Sequence, residues 1–355
     1  MKRLIALVLT SFFTVCACAE NISVDPLVGF YKGKLECAKY GYPLKGDNTV
    51  YAEVFRGPQG YRVKFQPAIF ARAETYGMAD NLKASGGKIL LSKVGGGEKF
   101  KDFQGSITPE EIDVKLAYMG SEARMKLERI NVESPTMGLK APEGALVLFD
   151  GKDLSNFWGV CGGKKIKPNW TVNPDASMTI AQEKNSKGKK LRYVDLESKQ
   201  TFGKLVMHLE FKFPCQYEKL RQARSNSGVI FGGLYELQIL DSFGAEGAWD
   251  ECGSVYRQVP PMVNACIEPG KWQTYDIEFT PAVYDGKKLV SLPKVSAWIN
   301  GIQVQKDTPF KYPTHMQPVQ GAKFDQSKHS EKVFIKLQDH TDPISFRNIW
   351  VKPLK

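Results

Sequence analysis

Tyr235-Glu-Leu-Gln-Ile-Leu-Asp241 alternates side chains with a period of two. Tyr235, Leu237 and Ile239 fall on one side, with Glu236, Gln238 and Leu240 on the other and Asp241 at the end. Successive side chains of a strand point to opposite faces, so this is a strand with one core face and one face carrying a carboxylate and an amide. Leu205-Val-Met-His-Leu-Glu-Phe-Lys-Phe213 repeats the pattern, setting Leu205, Met207, Leu209, Phe211 and Phe213 against Val206, His208, Glu210 and Lys212. Val333-Phe-Ile-Lys-Leu-Gln-Asp-His340 does so again, with Phe334, Lys336, Gln338 and His340 opposite the apolar set. Val295-Ser-Ala-Trp-Ile-Asn300 runs into Asn300-Gly301, a strong hairpin signal, and returns as Ile302 to Gln305, leaving Trp298 on the polar side. These strands predict a β-sandwich. If they share one sheet, its outer face is a cleft floor of acids, amides, imidazoles and an aromatic, the groups a sugar needs for its hydroxyls and its C–H face.

Working outward, residues 144–355 form the sandwich domain. Upstream of it, about 20–132 read as short strands: Gly29 to Leu35, Val50 to Phe55, Tyr61 to Phe65, Ile89 to Leu91, Phe103 to Ile107, Ile112 to Leu116 and Arg124 to Ile130. Gly-Pro, Gly-Gly and Thr-Pro clusters punctuate them, as in a small all-β domain. A helix is expected over Phe70 to Leu82. Residues 133–143, with two prolines, one glycine and no periodicity, read as a linker. No repeat of 20–50 residues appears, which argues against propellers and solenoids.

Lys2 and Arg3 precede an apolar run from Leu4 to Val15, followed by Ala17-Cys18-Ala19. This predicts a signal peptide over 1–19 and a periplasmic or secreted protein, with no transmembrane segment after cleavage. Cleavage before Cys18, giving a lipoprotein, is the alternative. In an oxidising compartment some of Cys37, Cys161, Cys215, Cys252 and Cys266 should pair; Cys252 and Cys266 flank one loop and are the preferred bridge. The net charge of +11 is spread along the chain without a nucleic-acid motif, so no nucleic-acid partner is expected.

Ala145-Leu-Val-Leu-Phe-Asp-Gly-Lys-Asp-Leu-Ser-Asn-Phe-Trp158, Arg224-Ser-Asn-Ser-Gly228, Tyr235 to Ser242, Pro269-Gly-Lys-Trp-Gln-Thr-Tyr275, Asn300-Gly301, Leu337-Gln-Asp-His340 and Phe346-Arg-Asn-Ile349 occur in this order. Together they resemble the 3-keto-disaccharide hydrolase domain family, once a domain of unknown function, over roughly Gly144 to Leu354. The resemblance implies a concanavalin-like jelly roll of two antiparallel sheets. It also implies action on an oligosaccharide or other glycoside oxidised to a ketone at C3. Such a ketone acidifies the C2–H, so a base can drive β-elimination of the C1 substituent, and hydration completes a net hydrolysis. That route needs an acid–base pair and an electrophile for the enolate, for which a divalent metal ion is one candidate, rather than the two opposed carboxylates of an ordinary glycosidase.

Mapped by motif, Glu236 is the leading candidate for base or metal ligand, with Gln238 and Asp241 beside it. His340 is a candidate acid, base or ligand. His208 and Glu210 come next. Arg224, Asn226 and Arg347 are candidates for holding hydroxyls or oxyanion charge, and Tyr256 and Trp298 for packing on the sugar. Arg347 could alternatively pair with Glu236 or Asp241. The loop from Phe243 to Ile267 is a candidate lid. No G-x-G-x-x-G motif with a following acid is present, so a separate sugar 3-dehydrogenase is expected to make the ketone. The alternatives are a non-catalytic carbohydrate-binding module and an ordinary glycosidase acting on unoxidised sugars.

Overall fold

The computed structural model describes residues 23–39, 44, 47–72, 74–314 and 325–354. The expected signal peptide lies outside them. The architecture is all-β, as the alternation predicts, and among the described residues no helix is long and apolar enough to cross a membrane.

The first unit is an antiparallel meander built from β1 (Gly29–Glu36), β2 (Thr49–Gly57), β3 (Gly60–Gln66), β4 (Gly77–Leu82), β5 (Ala84–Ser85), β6 (Lys88–Gly96), β7 (Phe100–Ile107), β8 (Glu111–Tyr118) and β9 (Ser121–Ile130). Each strand pairs with the next except β4 with β5, β1 also pairs with β9, and Met78 opposite Gly96 joins β4 to β6. The sheet thus closes into a barrel of eight strands, with β5 as a flap on its rim. Closure leaves only short edges, and the inward residues, among them Phe65, Phe100 and Phe103, fill the interior. The helix expected over Phe70 to Leu82 does not form. Gly77 to Leu82 instead completes the barrel wall, its Gly77 lying so close to Phe100 and Phe103 that a side chain there would collide.

The second unit is a jelly-roll sandwich. One sheet has the order β13 (Thr171–Val172), β14 (Met178–Thr179), β25 (Ser345–Pro353), β16 (Leu205–Lys212), β19 (Trp272–Thr280), β22 (Lys294–Ile299) and β23 (Ile302–Pro309), with β10 (Leu146–Phe149) also on β25. We call it the back sheet. The front sheet runs β12 (Lys164–Ile166), β11 (Phe157–Cys161), β15 (Asp195–Ser198), β24 (Ile335–Leu337), β17 (Asn226–Phe231) and β18 (Tyr235–Leu240). A small hairpin, β20 (Val283–Asp285) and β21 (Lys288–Ser291), stands apart. The apolar sets read from the sequence meet between the sheets: Leu205, Met207, Leu209 and Phe211 pack with Val229, Phe231, Leu237 and Ile239, and Phe231 stacks on Phe279 at 4.3 Å. Asn300 and Gly301, both at positive φ, make the two-residue turn between β22 and β23.

The barrel docks on the sandwich through Val28, Phe30, Tyr217, Phe243 and Ile267, with Phe55 and Phe70 against them. Polar bonds frame this patch. Arg72 donates to the carbonyls of Pro261 and Met262, and Arg62 to that of Gly244. Gly244, at φ +81, lets Phe55 approach to where a Cβ would lie 2.5 Å from its ring.

Residues 133–143 are not a loose linker. Ser134 bonds Thr274 at 2.6 Å, Thr136 donates to Asp276 at 2.6 Å, the Gly138 N–H donates to Glu210 at 2.7 Å, and the Trp350 indole donates to the Leu139 carbonyl at 3.0 Å. The segment is strapped across the outer face of the back sheet. The absence of periodicity that marks a linker marks a surface strap equally well, and only the tertiary partners separate the two.

Candidate active site

The outer face of the front sheet carries a row fixed by strand register: Glu236 opposite Ile230, Ile230 opposite Lys336, Lys336 opposite Glu197, and Glu197 opposite Trp158. The next row places Gln238 opposite Gly228, with the Gln338 N–H donating to the Gly228 carbonyl. Adjacent strands lie about 4.8 Å apart, so the backbones of Glu236 and Lys336 stand about 10 Å from each other across Ile230. Lys336 is held by Asp195 at 3.2 Å and Glu197 at 3.3 Å.

Glu236 differs from those two acids. Among the described residues no cation pairs with its carboxylate, which accepts a hydrogen bond from the Thr314 hydroxyl. Burial pushes its carboxyl up to about 7, with the Asp195 charge adding to the effect and Thr314 and Arg257 opposing it. Gly228 makes the space: a Cβ there would lie 2.6 Å from the Glu236 carboxyl oxygen. The expected result for Gly228→Ala is therefore a displaced carboxylate and at least tenfold lower turnover of whatever substrate Glu236 acts on, checked by steady-state kinetics beside a melting curve showing the fold retained.

The loop after β18 supplies one wall. The Gly253 N–H donates to Gln238, the Gln238 N–H to Ser254, and the Tyr256 N–H to Glu236, so 253–256 adds a short irregular edge to β18 and brings Tyr256 alongside Glu236. Burial and the Glu236 charge raise the Tyr256 phenol, although Arg257 opposes them, so its proton is firmly held. Gln222 is the hub behind: it donates to the Asp250 carbonyl at 2.6 Å and accepts from Asn226 at 2.9 Å, Gln238 at 3.2 Å and Tyr256 at 3.5 Å. One amide atom of Gln238, one of Gln338 and the Arg257 Nε are buried without a hydrogen-bond partner. Unmatched buried polar atoms are uncommon in folded proteins, and three around one carboxyl group suit a ligand rich in hydroxyls.

Residues 144–352 match the sequence profile of the 3-keto-alpha-glucoside-1,2-lyase-like domain. The chain belongs to this family. A solved structure from Parabacteroides distasonis, named as a candidate glycosyl hydrolase, is 35% identical, with a TM-score of 0.51 over 61% of this chain and 86% of that one. A second from the same organism, similarly named, is 18% identical, with a TM-score of 0.41 over 60% of this chain and 95% of that one. None of the curated proteins compared matches the chain.

The lyase-like domain brings only some of the sequence candidates together. Glu236, Gln238, Asn226 and Tyr256 share the front-sheet cleft. His208, Glu210, Arg347 and Trp298 do not; they lie on the outer face of the back sheet. There His208 bonds Asp276 at 2.6 Å and stacks on Trp350, while Arg347 pairs with Glu210 rather than with Glu236 or Asp241. Burial pushes the Glu210 carboxyl up, but His208, Asn348, Arg347 and the Gly138 N–H together outweigh it and hold it down to about 2. Burial lowers the His208 imidazole, yet Asp276 and Glu210 more than reverse this and raise it. These charges clamp the 133–143 strap. Trp298 stands opposite Asp276 in the same sheet.

Arg224 and Asp241 form a buried ion pair, Nε to Oδ2 at 2.6 Å, at the edge of the barrel junction. His340 is solvent-exposed beyond the end of β24 and makes no hydrogen bond to the Glu236 group. Strand pairing ends at Leu337 while the alternation runs on: Asp339 turns inward to bond Lys190 and the Val194 N–H, and His340 turns outward into solvent. Cys252 and Cys266 are both buried with free thiols, so the preferred bridge is not formed, and the Cys266 thiol instead approaches the Leu240 carbonyl. Among the described residues no three His, Cys, Asp or Glu side chains come together as a metal ion would need.

Sequence reading missed Lys336 as a functional group, along with Asp195, Glu197, Gln222, Gln338 and Thr314. Asp195-Leu-Glu197 and Lys336-Leu-Gln338 carry a detectable signal, since each places two polar groups on one strand face. Gln222 and Thr314 sit in irregular segments and carry none.

Proposed function

We propose that this protein cleaves glycosides whose sugar carries a ketone at C3, by elimination across C1–C2 followed by hydration. The observation that carries the reading is Glu236: a single desolvated carboxyl near 7, facing an ammonium group across an apolar floor. A general base works best when its pKa lies close to the operating pH. An ordinary glycosidase needs two carboxyl groups flanking the bond, and the other acids on this face, Asp195 and Glu197, are both tied to Lys336.

In this mechanism the sugar ring lies over Ile230. The Glu236 carboxylate removes the C2 proton, and the electrons move toward the C3 ketone, whose developing oxyanion is met by the Lys336 ammonium. The C1–O bond then breaks as the enolate collapses, and the leaving oxygen takes a proton from Tyr256, which solvent restores. Water adds to the resulting unsaturated ketone at C1 while C2 regains its proton, giving net hydrolysis. Gln238 and Gln338 hold ring hydroxyls. In this reading a separate dehydrogenase makes the ketone, and the signal-like N-terminus supports export of this protein.

The test is incubation of purified protein with 3-keto-glucosides and with their unoxidised counterparts, with and without chelator. Release from the keto sugars alone supports the proposal; release from unoxidised sugars alone overturns it in favour of ordinary glycosidase chemistry. Binding without release from either favours a carbohydrate-binding module. For the active enzyme, kcat/KM is expected to rise with pH through a midpoint near 7, because Glu236 must be ionised to act. A flat profile between pH 5 and 9 removes Glu236 as the base.

A further inference from the structure

Where β2 and β3 of the barrel meet the sandwich, a cleft of about 520 Å³ opens, walled by Phe55 and Arg62 on the barrel side and by Leu220, Gln222, Arg224 and Trp249 on the other. It continues from the Glu236 face. Gln222 and Asp250, which line it, are the groups that hold Gln238 and approach Tyr256. Leu240, also in its wall, lies two same-face positions along β18 from Glu236, so the cleft extends the catalytic face in the strand direction.

Two features point to what fills it. Trp249 is 50% exposed, presenting aromatic surface to the opening. Arg224 is 2% exposed, yet its Nη2 has no hydrogen-bond partner, while Nε is committed to Asp241 and Nη1 to the Arg56 carbonyl. A buried guanidinium donor left unmatched calls for an acceptor from outside the protein. The charges around the cleft offset one another, Arg62, Arg221 and Arg224 against Asp241, Glu246, Asp250 and Glu251, which suits an uncharged ligand with hydroxyls better than an anion.

Building on the Glu236 reading, we propose that the junction cleft is the subsite for the leaving-group sugar, a neutral pyranose ring lying on Trp249 with a hydroxyl on Arg224. Phe55 of the barrel forms its far wall. The barrel is then part of substrate recognition, and the subsite that distinguishes disaccharides from glycosides with small leaving groups takes one wall from outside the family domain.

The experiment uses the full chain and its Trp249→Ala and Trp249→Phe variants. The substrates are a 3-keto-disaccharide, a methyl 3-keto-glucoside whose leaving group is too small to enter the cleft, and an aryl 3-keto-glucoside. In Trp249→Ala the ratio of kcat/KM for disaccharide over methyl glycoside is expected to fall at least tenfold, mainly through KM, and Trp249→Phe to recover most of it. An unchanged ratio overturns the subsite. A larger loss with the aryl glycoside than with the disaccharide overturns the sugar assignment. If the unaltered protein turns over none of the three, the catalytic reading fails on its own, and calorimetric titration with the unoxidised disaccharide still decides the subsite. At least tenfold weaker binding in Trp249→Ala upholds it; equal binding, or none to the unaltered protein, overturns it.

Discussion

Glu236→Gln is expected to lower turnover of a 3-keto-glycoside by about 10²–10⁴, the range a positioned general base supplies. It is also expected to make the folded protein more stable at alkaline pH. A carboxyl held at about 7 in the fold and near 4.5 when unfolded binds its proton more tightly in the native state. The native state is therefore favoured at low pH, and that advantage is lost progressively as pH rises from about 4.5 to about 7. A change of this size corresponds to about 3 kcal/mol, all of it spent on keeping an ionised group in a dry place. Glutamine keeps the shape and still accepts from Thr314 but never ionises. Chemical denaturation at pH 4 and pH 8.5 checks this: near-equal stabilities at pH 4 and a gain of a few kcal/mol for Glu236→Gln at pH 8.5. A variant no more stable than its parent at pH 8.5 means that Glu236 is not desolvated as described.

The second large effect concerns Arg224 and Asp241. Arg224→Met leaves Asp241 fully buried without its counter-charge, and breaking one partner of a buried pair typically costs about 3–5 kcal/mol. Burial already pushes the Asp241 carboxyl up against the pull of Arg224, so without the arginine the loss is expected to grow as pH rises. The double replacement Arg224→Met with Asp241→Leu removes both charges and is expected to recover most of the stability. A double-mutant cycle by urea denaturation measures the coupling. Additive single effects show that the pair contributes packing alone, Arg224 lying on the Phe55 ring at 4.9 Å.

Much of this protein was legible in its residues. The alternation in 205–213 and 235–241 found strands and inner faces, and the order of motifs found the family. Alternation identifies a strand's face but not its sheet. Glu210 and Glu236 carry the same local signature, a carboxylate opposite a run of core side chains, yet they stand on opposite outer surfaces of the sandwich. What separates them is cover. Glu210 is met by the Gly138 N–H, Asn348 and Arg347, so its charge is satisfied and its carboxyl held low. Glu236 meets one hydroxyl beside unmatched amides, so its charge is costly and available. Both environments are assembled from segments distant in sequence, such as 134–139 and 312–314, which show no periodicity to announce them. His340 illustrates a further limit, since alternation gives its side but not that it lies three residues past the end of β24, exposed and apart from the Glu236 group.

The strap over the back sheet has a bearing on how such proteins can be recombined. A connection spent as sheet cover has no slack, so the barrel cannot swing out to capture a chain and return it. Exchanging barrels between relatives would then require moving three parts as one cassette: the donor barrel, its eleven-residue strap, and the Glu210 and Asp276 acceptors that receive the strap, with the His208 that bonds Asp276.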